Sequence, residues 1–308
     1  MPSLSAIRTS NAAFSPTYPP VAVIVGGTSG IGRGIAEAFV RHTKGNAHII
    51  IIGRNRNAAD SIIAQFPKPT KSEGVTHEFV QCDVSQMKNI QAVTKDLVSR
   101  LPRINFLMMS PGYMTMKGRD ETDEGIDKKL AVHYYARWAF IHGLLPALVK
   151  AKEAGEEAKV LTVLAAGKGG PVNLDDLGLK KTYSVSNAAL ATPTYNDLMI
   201  EEFSMRYPEL TFVHAYPGLV RTSIFSSADS MLIKASAYIV PILGYPFSTS
   251  QEETGEYMLY GILNATKGVF RIGSRGEDIG KKRYFGSEEA RKKLWEHTIV
   301  ETQVSASS

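Results

Sequence analysis

The residues able to do chemistry begin at a turn. The apolar run Val21-Ala22-Val23-Ile24-Val25 leads straight into Gly26-Gly27-Thr28-Ser29-Gly30-Ile31-Gly32. The spacing Gly26-xxx-Gly30-x-Gly32 allows a tight turn and lets bare backbone N–H groups approach an anion where the next helix starts. A pyrophosphate is the ligand such a turn holds when a strand precedes it and a helix follows; a tight structural turn is the alternative reading. The second apolar run ends Ile52-Gly53-Arg54, with Arg56 two residues on. A carboxylate there would take the 2′-hydroxyl of an adenosine ribose. An arginine pairs instead with a 2′-phosphate, which a carboxylate would repel. The glycine turn and Arg54 together point to NADP(H), against Arg54 as a solvated loop charge.

These residues need strands and helices to position them. Apolar runs at 21–25, 48–52, 75–82, 106–109, 160–164 and 210–215 predict six strands. Most lack polar alternation, as strands covered on both faces do. Between them, helical spacing links Ile31, Ile35 and Phe39, and then Met87, Ile90, Val93, Leu97 and Val98 behind a Ser85 N-cap. A longer helix turns Ile126, Leu130, Tyr134, Ile141 and Leu145 inward, and another covers 183–207 with a kink at Pro193. The βαβα order predicts an α/β protein: a single Rossmann-type doubly wound parallel sheet with helices on both faces. Residues 1–19 read as a flexible tail, 20–286 as the domain and 287–308 as a charged, peripheral extension.

Composition narrows the partners. The chain has 308 residues, 44% hydrophobic and 21% charged, which excludes disorder and coiled coil for its bulk. The excess of 35 Lys and Arg over 30 Asp and Glu gives +5 with no long basic run, so no nucleic acid is expected. A single cysteine, Cys82, excludes an intrachain disulfide and suits a cytoplasmic, reducing setting. The seven histidines include no i, i+4 pair and no Cys/His cluster, so no metal site is expected. No apolar run reaches the roughly 20 residues of a membrane span. The nearest, 231–247, is broken by Lys234, Pro241 and Pro246. Residues 223–250 carry Met231, Leu232, Ile233, Tyr238, Ile239, Val240 and Leu243. They read as a cover over an apolar small-molecule substrate, or as a segment lying on a membrane surface. A homo-oligomer is also open.

Over about residues 21–272 the sequence resembles the single-domain short-chain dehydrogenases/reductases, nearest to their retinol-dehydrogenase-like branch common in fungal specialised metabolism. Four ordered pieces carry the resemblance: the glycine turn, Asp83-Val84, Tyr183-Ser-Val-Ser-Asn187, and Pro217-Gly218-Leu219-Val220-Arg221-Thr222. It implies that Asp83 holds the adenine edge, that the Pro217–Thr222 segment cradles the nicotinamide, and that Thr222 binds its carboxamide. It also implies four catalytic side chains, and here three differ. Tyr183 matches the proton-transferring tyrosine. Asn187 stands where a lysine would bind the ribose and lower the tyrosine pKa, Ala165 where a serine would orient the carbonyl, and His133 where an asparagine would hold a relay water. A cation about 4 Å from a phenol contributes about 4 kcal/mol at a dielectric near 20, roughly three pKa units. Without it, reduction is favoured over oxidation, because Tyr183 needs only to donate a proton. Lys168, Lys180 and Lys181 are either substitute cations or exposed loop charges. His133 is either a proton relay, as imidazole titrates near neutrality, or a packed helix residue. The expected activity is NADPH-dependent reduction of a ketone or aldehyde. The alternatives are an NADP(H)-binding protein without redox turnover, and a non-redox isomerase or cyclase using the same pocket.

Overall fold

The computed structural model describes residues 2–70, 74–222 and 248–303. All six expected strands form: β1 (Val21–Val25), β2 (His48–Gly53), β3 (His77–Gln81), β4 (Phe106–Met109), β5 (Lys159–Val163) and β6 (Thr211–Ala215). A seventh, β7 (Gly268–Ile272), completes a parallel sheet of order β3-β2-β1-β4-β5-β6-β7. Val23 lies beside Ile50 on one flank and Leu107 on the other. Every residue of β1, β4, β5 and β6 is buried, which is why their runs show no alternation.

The helices are α1 (Leu4–Ala12), α2 (Gly30–His42), α3 (Arg56–Ile63), α4 (Met87–Arg100), α5 (Lys128–Leu130), α6 (Ala136–Glu153), α7 (Val185–Arg206), α8 (Gln251–Asn264) and α9 (Glu288–Thr302). A π-helical turn, Ala131–Tyr135, joins α5 to α6. One core packs α4, α6, α7 and α9 on the sheet; the other packs α1, α2, α3 and α8 on its opposite face. The strand order reverses between β1 and β4, and sheets of this kind take their ligands beyond the carboxyl edge at that crevice.

Four expectations are corrected. The segment before Val21 is not a free tail along 4–12: Ser3 caps α1, Ile7 is fully buried, and Asn11 donates to the Glu256 carbonyl (3.0 Å) and carboxylate (2.8 Å) on α8. The C-terminal stretch is not peripheral over 288–302. Trp295 of α9 packs 5.3 Å from Trp138 and 4.9 Å from Phe203, and Tyr134 shares a 2.6 Å hydrogen bond with Thr298. Ser85 does not cap α4; the Glu124 carboxylate accepts from Met87 N (2.6 Å) and Lys88 N (2.9 Å) instead. The helix expected from 183 starts at Val185 with Ser184 as its cap, so Tyr183 precedes it. Pro193 lies inside α7. The expected cover over 223–250 lies outside the described residues except at 248–250. There Arg221 N donates to Thr249 O (3.0 Å) and Thr249 N to Leu219 O (2.9 Å).

Candidate active site

At the carboxyl edge of β1 the chain turns through Gly26 (φ +79°) and Gly30 (φ +58°), in the left-handed region that glycine occupies freely. A Cβ on Gly26 would stand 2.9 Å from Pro111 N, and one on Gly32 would overlap the Gly26 carbonyl. The turn therefore lies directly against the loop that leaves β4. Ser29 opens α2 without a side-chain hydrogen bond and is exposed, whereas Ser3, Asn55, Ser184, Ser250 and Ser287 each accept at the head of their helices. Beside the turn, the Ser110 hydroxyl is buried without a partner. Uncapped helix N–H groups and an orphaned hydroxyl around a side-chain-free cradle fit a pyrophosphate.

The neighbouring pieces line the same edge. Thr28 abuts Gly53, where an added Cβ would meet Thr28 Cγ2 at 2.9 Å, and Ile31 leans on the second core. Arg54 follows at the end of β2, exposed and without a hydrogen-bond or ion-pair partner among the described residues. Asp83, at the end of β3, is exposed, and its Oδ1 accepts from Ser85 N (3.0 Å) and Oγ (2.8 Å). Across the crevice Pro217 is buried, Gly218 has φ +77°, and Val220 bridges to Thr249. Thr222 Cγ2 stands 3.4 Å from where a Cβ on Gly30 would be. The glycine turn and the segment after β6 therefore meet. The residues present fit a nicotinamide dinucleotide, which when bound would supply hydride chemistry.

Each of the four expected catalytic positions has its own local setting. Tyr183 packs half-buried against the first core, its oxygen shielded and lacking a partner of good geometry. Burial first, and then the Asp127 carboxylate, push its hydroxyl up to about 12; Arg119 opposes this and Asp120 adds to it. Asn187 is exposed and turned back on the chain, donating through Nδ2 to Thr182 O (2.7 Å). Ala165 N donates to His214 Nε2 (3.2 Å) just past β5. His133 sits in the π turn, where its Nε2 accepts from Tyr113 N (3.1 Å) and its carbonyl accepts from Asn196 Nδ2 (2.9 Å). Burial, and after it the cations Arg137 and Lys129, lower His133 to about 3. Lys180 is paired with Glu301 at 3.0 Å, and Lys168 lies over the Tyr216 ring, 4.8 Å from its centroid.

Two groups escape the sequence reading. Arg137, 1% exposed, donates to the carbonyls of Val132, Pro111 (2.8 Å) and Val163 (3.0 Å), and it has no carboxylate partner among the described residues. Desolvation lowers it to about 9, so it remains a cation at neutral pH. It ties the ends of β4 and β5 together directly behind His133. His214 and Asp197 share a 2.6 Å hydrogen bond, and Arg271 Nη2 approaches Asp197 to 2.9 Å. This buried chain ends at Ala165 N and fixes the backbone leaving β5. The signal for both was a polar residue inside an apolar run: Arg137 in Tyr134–Phe140, His214 in Phe212–Ala215. Among the described residues no cluster could hold a metal ion, and no helix is long and apolar enough to cross a membrane.

Comparison with known proteins agrees with this geometry. Residues 20–231 match the family model described as short chain dehydrogenase. Oxidoreductase AN1596 of Emericella nidulans is 34% identical over 266 residues, spanning 86% of this chain and 78% of its own. Oxidoreductase andH of Emericella variicolor is 31% identical, covering 86% and 76%. The fold superposes on an NADPH-bound carbonyl reductase from chicken fatty liver with a TM-score of 0.60 at 17% identity, over 85% of this chain and 99% of that one. With its glycine turn at the reversal of a seven-stranded parallel sheet, the chain belongs to the short-chain dehydrogenase family and is an oxidoreductase of that fold.

Proposed function

We propose that this protein is an NADPH-dependent reductase of ketones or aldehydes, acting on an apolar small molecule in a fungal, cytoplasmic setting. The observation that carries the reading is the exposed Arg54 at the end of β2, unpaired among the described residues, beside a glycine cradle that lacks any carboxylate at that place. The buried Cys82 thiol, pushed up to about 12 by desolvation, keeps its proton at neutral pH.

Reduction adds a hydride to the carbonyl carbon and a proton to its oxygen, yielding the alcohol. The hydride comes from the bound cofactor. This chain's part is to fix the pyrophosphate at Gly26–Gly32, the 2′-phosphate at Arg54, the adenine at Asp83 and the carboxamide side at Thr222. Tyr183 is the proton donor: a hydroxyl at about 12 is protonated at every working pH, so it gives a proton and does not take one. A second reading, cofactor binding without turnover, is favoured by the contact of Tyr183 with Asp127 and by the turned-back Asn187.

Titration of the full chain with NADPH and NADH at one salt concentration tests the cofactor assignment. A charge-assisted contact of about 1.5–3 kcal/mol makes NADPH roughly ten- to a hundredfold tighter, and Arg54→Ala removes that margin. Equal affinities in the native protein would overturn it.

A further inference from the structure

Ala165 leaves the site without the hydroxyl that would orient a carbonyl, and its own N–H is already given to His214. Another donor is needed near the ends of β4 and β5, and His133 stands there. Its Nε2 accepts the Tyr113 N–H at 3.1 Å. A ring nitrogen that accepts a backbone N–H carries no proton, so the neutral ring must carry its proton on Nδ1. The ring is mostly buried but not sealed. Nδ1 has no acceptor among the described residues and is not one of the sealed, unpartnered atoms of the interior. It therefore carries an N–H with no acceptor among the described residues.

The surroundings fix that state. Arg137 faces the ring from α6 and Lys129 from α5, while the Tyr113 N–H comes from the loop after β4. Asn196 of α7 holds the His133 carbonyl and accepts at Oδ1 from Thr162 Oγ1 (2.8 Å), locking the π turn to β5. No carboxylate lies among the groups acting on the ring. Two cations beside an imidazole disfavour the imidazolium. A neutral imidazole of fixed tautomer is an effective donor to a developing oxyanion, because it does not lose its proton there.

We propose that His133, through Nδ1–H, is the hydrogen-bond donor to the substrate's carbonyl oxygen in place of the hydroxyl missing at Ala165, with Arg137 as the residue that positions it. This rests on the reductase reading above. It replaces the relay role, which would need a ring that titrates near neutrality.

Paired substitutions separate donation from packing. An asparagine amide nitrogen reaches the place of imidazole Nδ1, whereas a glutamine amide reaches that of Nε2. With NADPH and apolar carbonyl probes such as 2-decanone and decanal, His133→Asn keeps kcat/KM within about tenfold of the native value, and His133→Gln loses about 10²–10³-fold. NADPH affinity stays within twofold in both. The opposite ranking would show that His133 serves only to hold Tyr113 and would overturn the proposal. Nitrogen NMR of the His133 ring tests it without turnover. A neutral Nδ1–H ring from pH 5 to 8 is expected, with its titration moved upward by a unit or more in Arg137→Met. A proton on Nε2, or a native midpoint above pH 5.5, would overturn the proposal alone. Inactivity of the native chain on every probe would instead remove the reductase reading.

Discussion

Tyr183 faces Asp127, Asp120 and Arg119, and no lysine stands one helical turn beyond it. Asp127 is buried and already occupied: Oδ1 accepts from Lys129 N (3.0 Å) and Leu130 N (3.1 Å), and Oδ2 from Asp120 N (3.1 Å). A phenolate beside that carboxylate would be repelled, so the neutral phenol is favoured and the hydroxyl rises. Replacing Asp127 by Asn keeps the capping oxygen and removes the charge. Asp127→Asn is expected to bring the Tyr183 titration down by about one unit. The difference between each protein and its Tyr183→Phe counterpart in ultraviolet titration isolates this phenol. An unchanged midpoint would mean that burial alone sets it.

The elements tell where sequence patterns suffice and where they fail. Trp295 is 9% exposed and packs edge-on against Trp138 and Phe203, with the Arg206 guanidinium 4.3 Å from its ring centroid. Trp295→Ala is expected to cost about 3–5 kcal/mol, read as a lower urea midpoint at unchanged slope. A midpoint matching the native protein would mean that α9 is peripheral after all. The strands were legible because a strand buried on both faces can only be an unbroken apolar run. β7 was not, since Gly268, Val269 and Phe270 are only partly buried and Arg271 interrupts the run. The docking of α1 was hidden because Asn11 finds its partner 245 residues away. The same holds for α4, whose head is capped by Glu124 from 37 residues further on. At the site, the glycine turn was legible because its backbone demands glycine. Arg137 was not, because its partners are carbonyls brought together only by the fold.

At the scale of the whole molecule, one edge of the sheet collects nearly everything that matters. The glycine turn, Arg54, Asp83, the Pro217–Thr222 segment, Ala165 and His133 all lie at or just beyond the carboxyl ends of the strands. Behind them, Arg137 and the Asp197–His214 pair fix the outgoing backbones of β4 and β5. Helix α2 lies against α8 so closely that a Cβ on Gly34 would overlap the Gln251 carbonyl, which seats the turn firmly on its own face of the sheet. On the function proposed above, this assembly holds a dinucleotide and presents one polar edge to a carbonyl. Carbonyl-dependent oxidation of NADPH, followed at 340 nm with the native chain and with Tyr183→Phe, tests that account most directly. Turnover of at least one apolar ketone or aldehyde is expected, falling about 10²–10⁴-fold in Tyr183→Phe while NADPH affinity is retained. Tight NADPH binding with no oxidation on any carbonyl, or full turnover by Tyr183→Phe, would contradict it.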